Sequence, residues 1–370
     1  MRYLYYLVVF GTFLGGCKNV QTNVNNNVLV ERAHNFTKVD IEVLRKDSSS
    51  IRAVDVSYNG VMYAGSNGHY GYFPIESHLK TKKGDVLPSI FNEDRTGVVN
   101  YEGKLLAFRS IASTKEYFFI LSIESPALLY RITKKSGEIE LIYKEDHEKA
   151  FYDAMTFWND DEGIAMGDPT ENCLSVIITR DGGKSWFKVP CSDLPEIVEG
   201  EAAFAASDTN IKTIGNHTWI ASGGIKSRVF YSSDRGKTWE VYDTPIVQGA
   251  PTKGAYSLDF YDRESGIIYG GDYTEPDANT NNIAVTSDGG KTWETIASGT
   301  NHGYKSCVQY VPNSDGKELV ALGFTGISYS KDAGESWQEL SKESFLSFRF
   351  LNDSVAYAGG RNTFARLTFR

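Results

Sequence analysis

The sequence is poor in the residues that hold metals and redox groups. Among 370 residues there are only 4 Cys and 6 His. The histidines (His34, His69, His78, His147, His217 and His302) are scattered rather than clustered. Cys173, Cys191 and Cys307 match no zinc-ligand spacing, and Cys17 stands apart near the N-terminus. No Gly-x-Gly-x-x-Gly run joins a strand to a helix, and no Cys-x-x-Cys-His is present. No cofactor and no metal are therefore expected. Positive charge is also short, with 38 Lys and Arg against 47 Asp and Glu and a net charge of -9. Basic residues are nowhere interleaved with aromatics in a cluster, so nucleic acid is not an expected partner.

What is present points to a large folded body. Apolar residues make up 41% and aromatics 13%, enough for a sizeable core, and the 35 glycines imply many turns. The N-terminus reads MRYLYYLVVFGTFLGGC, with one charge at Arg2 and an apolar run from Tyr3 to Leu14 that is too short to span a bilayer. It reads as the core of an export signal. The ending Leu14-Gly15-Gly16-Cys17 resembles a bacterial lipobox. That resemblance implies cleavage after residue 16, lipidation of Cys17 and an envelope location, with a membrane contact made through the lipid. The Asn-rich stretch after it reads as a flexible tether over 17–36, leaving 37–370 as one domain.

Four stretches share one pattern, Ser/Thr-x-Asp-x-Gly-x-Ser/Thr-Trp. They are TRDGGKSW, SSDRGKTW, TSDGGKTW and SKDAGESW. Their aspartates are Asp181, Asp234, Asp288 and Asp332, at spacings of 53, 54 and 44 residues, and their tryptophans are Trp186, Trp239, Trp293 and Trp337. Such periods mean a solenoid or a propeller of repeated units. Alternating apolar residues flank each copy, so each reads as a hairpin with a tight Asp-Gly turn. Two further strand-like runs precede each hairpin, making four strands per unit, the content of a propeller blade. ITKKSGEIELIY at 132–143 is a degenerate copy. The C-terminal unit stops before a fourth strand, and VDIEVLRK near the N-terminus is expected to supply it, closing the ring. Units beginning near Ile51, Phe108, Phe151, Ala203, Tyr256, Tyr304 and Phe348 number seven, although the poorly patterned stretch 75–108 leaves six or eight open. The expected fold is thus an all-β propeller, and a monomer.

The repeat is similar to the Asp-box, or BNR repeat, of sialidases and of photosystem II assembly-factor propellers. The chain from about Ile51 onward resembles a bacterial group of assembly-factor-like propellers, through FYDAMTFWNDDEGIAMGDP, GEAAFAASDTN, GGDY and YKSCVQYVP. Members of that group are filed as oxidoreductase or glycosyl hydrolase. The resemblance implies that the boxes lie on the outer rim and are structural. One carboxylate per box also falls well short of a calcium site.

Function is expected where inner strands converge on the axis. The polar residues placed there are Arg52, Asp55, Arg109, Tyr152, Asp153, Glu199, Glu201, Tyr256, Asp259, Tyr304, Lys305 and Arg349, with Asp168 and Asp272 in nearby turns. The leading reading is a recognition platform for a protein or a glycan. The alternative is a glycoside hydrolase drawing a carboxylate pair from Asp153, Glu201, Asp259 and Asp272. LYRIT at 129–133 departs from the sialidase arginine motif at Thr133 and falls in the wrong unit, which argues against sialidase chemistry. Finally, Cys173 and Cys191 flank the first full box symmetrically, which predicts a cross-strand disulfide, with two buried free thiols as the alternative.

Overall fold

A computed structural model describes residues 34–57, 60–75 and 95–370. Cys17, the export signal and the tether up to residue 33 lie outside the described residues. Among the described residues, strand pairing sorts the chain into seven four-stranded antiparallel sets. The second strand of a set has its backbone paired on both sides and a neighbouring sheet on each face. It therefore reads as a continuous apolar run rather than an alternating one. Gly60–Gly65, Gly163–Gly167 and Leu319–Gly323 are buried at every position.

The innermost strands are 51–57, Phe108–Ser113, Tyr152–Phe157, Ile211–Ile214, Lys253–Phe260, Cys307–Tyr310 and Ser347–Phe350. Each touches the next in that order, and the last returns to the first. The apolar clusters repeat the same cycle, each packed between two neighbouring sheets. The cluster of Ile51, Val54, Tyr63, Tyr357 and Phe364 joins the last sheet to the first. Closure is covalent in effect, because strand Val39–Ser57 serves two sheets. Its first part, Val39 to Lys46, pairs with 363–369 as the outer strand of the C-terminal set. Its second part, Ile51 to Ser57, pairs with Gly60–Gly65 as the inner strand of the first set. Residues 34–36, which composition places in the tether, are docked. Phe36 is buried against Tyr329 and Phe369, and the His34 amide donates to the buried Glu318 carboxylate at 2.8 Å.

The first three boxes share one hydrogen-bond pattern, and the fourth keeps it except that the Glu335 amide bonds the Asp332 carbonyl instead of its carboxylate. In the third, Asp288 Oδ1 accepts from the backbone N–H groups of Lys291 and Thr292 at 3.0 and 2.9 Å, and Oδ2 accepts from the Thr292 hydroxyl at 2.6 Å. Thr286 Oγ1 in turn accepts from the Gly290 amide at 3.0 Å. The carboxylate thus replaces backbone partners that a tight turn leaves unpaired. Positive φ is required at Gly183 (75°), and a Cβ there would lie 2.3 Å from the Phe119 ring of the preceding sheet. Each box tryptophan packs into the cluster shared with the preceding sheet, and Trp186 meets Phe119 and Phe157 edge-on. The box is therefore a staple between neighbouring sheets. Beside the first box, Cys173 and Cys191 form a disulfide with a Cα separation of 5.5 Å, and Cys307 is free and buried.

Candidate functional site

One expectation about the axis is corrected by the chain path. The fourth set does not begin near Ala203. Its inner strand is Ile211–Ile214, while Glu201 and Ala202 form a short strand that pairs with Gly223 and Gly224. Residues 203–210 between them are irregular and cross the axis. Their backbone and side chains bond to six other inner strands or the turns leading into them. Arg52 and Arg109 donate to the carbonyls of Ala206 and Ala205 at 3.4 and 3.1 Å. Asp208 accepts from the amides of Ile111 and Met155 at 3.1 and 2.9 Å. The Thr209 hydroxyl donates to Ser257 at 2.7 Å, the Ser207 hydroxyl to the Ser306 carbonyl at 2.5 Å, and Arg349 to the Asp208 carbonyl at 2.7 Å. Small residues, Ala-Ala-Ser-Asp-Thr, suit this passage because six strands converge on it. Asp208 adopts a φ of 59°, and burial holds its carboxyl well above the usual range despite Arg349 and the two amides. The axis is therefore plugged, and the cavities at its two ends are separate.

Because the strands of each set run antiparallel in succession, the inner strands begin at one end of the axis and finish at the end that carries the box turns. At the starting end lies an upper cavity of about 500 Å³. It brings together the predicted Arg52, Arg109, Asp168, Tyr256 and Tyr304 with the unpredicted Phe204, Tyr273, Phe324 and Arg361. Its aromatic wall is ordered. Phe204 stacks on Tyr256 at 4.1 Å, Tyr304 stacks on Phe324 at 5.0 Å, and Tyr256 meets Tyr304 edge-on. Gly223 and Gly254 make room for the Phe204 ring, since a Cβ on Gly254 would sit 2.5 Å from the Gly223 Cα and 3.0 Å from that ring. Arg52, Arg109 and Arg361 form no ion pair with a carboxylate among the described residues. Burial and then the neighbouring Arg109 bring Arg52 down to about 10, and burial also lowers Arg109.

Of the predicted carboxylates, only Asp153 and Asp168 lie close enough to act on one another. Asp153 is wholly buried behind the wall, and neither oxygen has a hydrogen-bond partner among protein groups. Burial, then Asp168, pushes its carboxyl well above the usual range against the pull of Arg109. Asp168 accepts from the Ala203 amide at 2.8 Å and is pushed up by burial to about 6. Glu201 lies off the inner strands and is gripped by Arg228 through Nε at 3.0 Å and Nη2 at 2.5 Å, with the Ser222 hydroxyl donating to it. Asp259 is at the opposite end of the axis, 2.6 Å from Lys212. Asp272 caps a turn through the amide and hydroxyl of Thr274 at 2.9 and 2.6 Å. Tyr152 and Lys305 are buried away from the cavity. Tyr152 donates to Glu145 at 2.6 Å, and Lys305 donates to Thr325 and to the Gly326 carbonyl. Burial brings the Lys305 ammonium down to about 8. Arg349 faces the lower end. The one sequence signal for the plug is the run of small and turn-forming residues at 205–210, which periodicity alone assigns to a strand.

A family model described as sortilin, neurotensin receptor 3, matches residues 174–321. No curated protein matches the chain. A solved structure of YCF48 bound to D1 peptide superposes with a TM-score of 0.62 at 12% identity, covering 90% of this chain and 97% of that one. The WD40 repeats of RRP9 give 0.60 at 13% identity over 90% and 98% of the two chains. YCF48 from Cyanidioschyzon merolae gives 0.58 at 11% identity, also over 90% and 98%. At these identities the likeness speaks to architecture alone, and with the closed ring of sheets it makes this chain an all-β β-propeller.

Proposed function

We propose that the chain is a non-catalytic recognition module, a seven-bladed platform that holds a segment of a partner protein in the upper axial cavity. We place it in the cell envelope as a monomer, tethered through a lipid on Cys17. The observation that carries the reading is the set of arginines Arg52, Arg109 and Arg361 around an aromatic-walled cavity, with no ion pair to neutralise them. Guanidinium groups of this kind favour carboxylates, and tyrosine and phenylalanine rings supply contact area at low entropic cost. A structural neighbour is recorded bound to a peptide, which accords with a protein ligand. Asp153 is buried, Glu201 and Asp259 are ion-paired and Asp272 caps a turn, which favours recognition over hydrolysis by a pair drawn from these four.

The test is a panel of displayed peptides selected on the intact protein. Selected sequences are expected to be acidic, and Arg361→Met, which leaves the plug untouched, is expected to weaken binding by about 5- to 10-fold, roughly 1–1.4 kcal/mol. Selection of basic peptides, or affinity indifferent to Arg361→Met and Arg109→Met together, would overturn the reading. Failure to select any peptide, or glycan binding that Arg361→Met weakens, would do so as well.

A further inference from the structure

Below the plug the axis opens again into a cavity of about 380 Å³, floored by Asp208 and Thr209. Its wall has a regularity that the upper cavity lacks. Every inner strand contributes a hydrogen-bonding side chain near its end: Asp55, Ser113, Thr156, Lys212, Asp259, Gln309 and Arg349. Packing alone does not ask for this. A strand end at the axis is satisfied by any side chain that covers the core, and half-buried polar groups keep their cost unless something bonds to them.

The two cations of this ring, Lys212 and Arg349, equal its two carboxylates, Asp55 and Asp259, in number. Lys212 lies 2.6 Å from Asp259, and Arg349 lies 3.7 Å from the Asp208 carboxyl on the floor. Asp55 takes the Ser113 hydroxyl at 2.5 Å and acts electrostatically on Lys134 nearby, whose ammonium burial brings down to about 8. A ligand with net charge has little to gain from such a balance. Hydrogen-bonding capacity, by contrast, is left over. Lys212 has three donors and one ion-pair contact. Gln309 accepts from the Phe350 amide at 3.3 Å, and its own amide group donates to no protein acceptor among the described residues. The Thr213 hydroxyl donates to the Phe157 carbonyl at 3.3 Å, and the Thr156 hydroxyl has only a 3.4 Å contact with Thr213. Donors and acceptors thus alternate around a neutral ring.

We propose that this lower cavity is a second binding site, for a small neutral polyhydroxylated molecule the size of a monosaccharide or cyclitol. Each hydroxyl of such a ligand both donates and accepts, which suits a wall where the two kinds of group are interspersed. The plug separates this site from the upper cavity. The inference does not rest on the protein-binding reading.

The experiment is saturation-transfer NMR on the whole protein with myo-inositol and glucose, and with glucosamine and glucuronate as charged counterparts. Transfer to at least one neutral compound is expected at about 10 mM or below, the weak range that suits a few hydrogen bonds. Gln309→Leu and Lys212→Met are each expected to weaken it about 5-fold or more, and Arg361→Met at the other end to leave it unchanged. A thermal melt shows whether each variant folds, and Lys212→Met serves if Gln309→Leu does not. No transfer from either neutral compound would show a cavity that holds only water and would overturn the proposal. So would preference for a charged counterpart, or binding indifferent to both lower-cavity changes.

Discussion

At the residue scale, two classes of aspartate respond to pH with opposite sign. In the boxes, burial raises the carboxyl pKa values, but the hydrogen bonds outweigh it. The result holds Asp181, Asp234 and Asp332 below the usual range and Asp288 down to about 2. A depressed folded pKa gives stability that is present above the unfolded value near 4 and is lost as pH falls through the folded value. Unfolding midpoints are therefore expected to fall steeply between about pH 4 and pH 2, and Asp288→Asn to flatten part of that fall. Asp168 behaves oppositely. Its folded pKa is raised to about 6, so its contribution is fully present below the ordinary carboxylate range and is lost as pH rises through about 6. Asp168→Asn keeps an oxygen for the Ala203 amide and removes the cost of ionising a buried acid, so it is expected to stabilise the protein near pH 7.5. A shift of roughly two pH units bounds the gain at about 3 kcal/mol. Denaturant titrations of both proteins at pH 4.5 and 7.5 check this. A gain of equal size at both pH values would refute the assignment to ionisation.

At the scale of elements, the plug is the part least legible in the sequence. The boxes can be found because each is local: an aspartate, one or two glycines and a tryptophan within eight positions, repeated. The inner strands upstream can be found from their register relative to the boxes. The alternation in GEAAFAASDTN, however, resembles a strand, while its partners are amides, a carbonyl and a guanidinium about 50 to 150 residues away. Nothing in a local pattern records such long-range bonds, so a local reading puts Glu201 on an inner strand and passes over Asp208. Arg52, Arg109, Tyr256 and Tyr304 are legible because they lie near the starts of inner strands, whereas Phe204 comes from the crossing segment, Tyr273 follows a second strand and Arg361 lies within the long C-terminal strand. Asp208→Ala would leave the buried amides of Ile111 and Met155 without partners in two neighbouring sheets. At about 1–3 kcal/mol for each unsatisfied group, a loss of about 2–6 kcal/mol is expected in chemical unfolding. Asp208→Asn, which can still accept one of the two bonds, is expected to lose less. Equal effects of the two changes would show that the plug is held by packing rather than by this carboxylate.

For the whole molecule, the closing strand decides whether the ring is one cooperative unit. Each sheet buries both faces against neighbours, so an open ring would expose two apolar faces at once. Those of the last and first sheets carry Ile51, Tyr63, Tyr357 and Phe364. Residues 39–46 prevent this by pairing with 363–369 before the same strand runs on into the first sheet. The surface pairs Arg370 with Asp40 and Arg366 with Glu42 add register, but exposed pairs of this kind contribute about 1 kcal/mol at most. The backbone ladder and the buried Leu367 and Phe369 side chains beneath it stabilise the closure more. A chain beginning at residue 33 is therefore expected to melt in one transition at the full-length temperature. A chain beginning at residue 48 leaves the edge of the last sheet unpaired, and edges of that kind invite association. It is expected to melt lower by 10 °C or more, on the order of several kcal/mol for a domain of this size, and to elute from a sizing column as oligomers. The synthetic segment 37–48, added in trans, is expected to restore the full-length elution volume by refilling the vacant strand position. If the shorter chain stays monomeric and melts unchanged, the ring is held shut by the sheet-to-sheet clusters alone and the shared strand is dispensable.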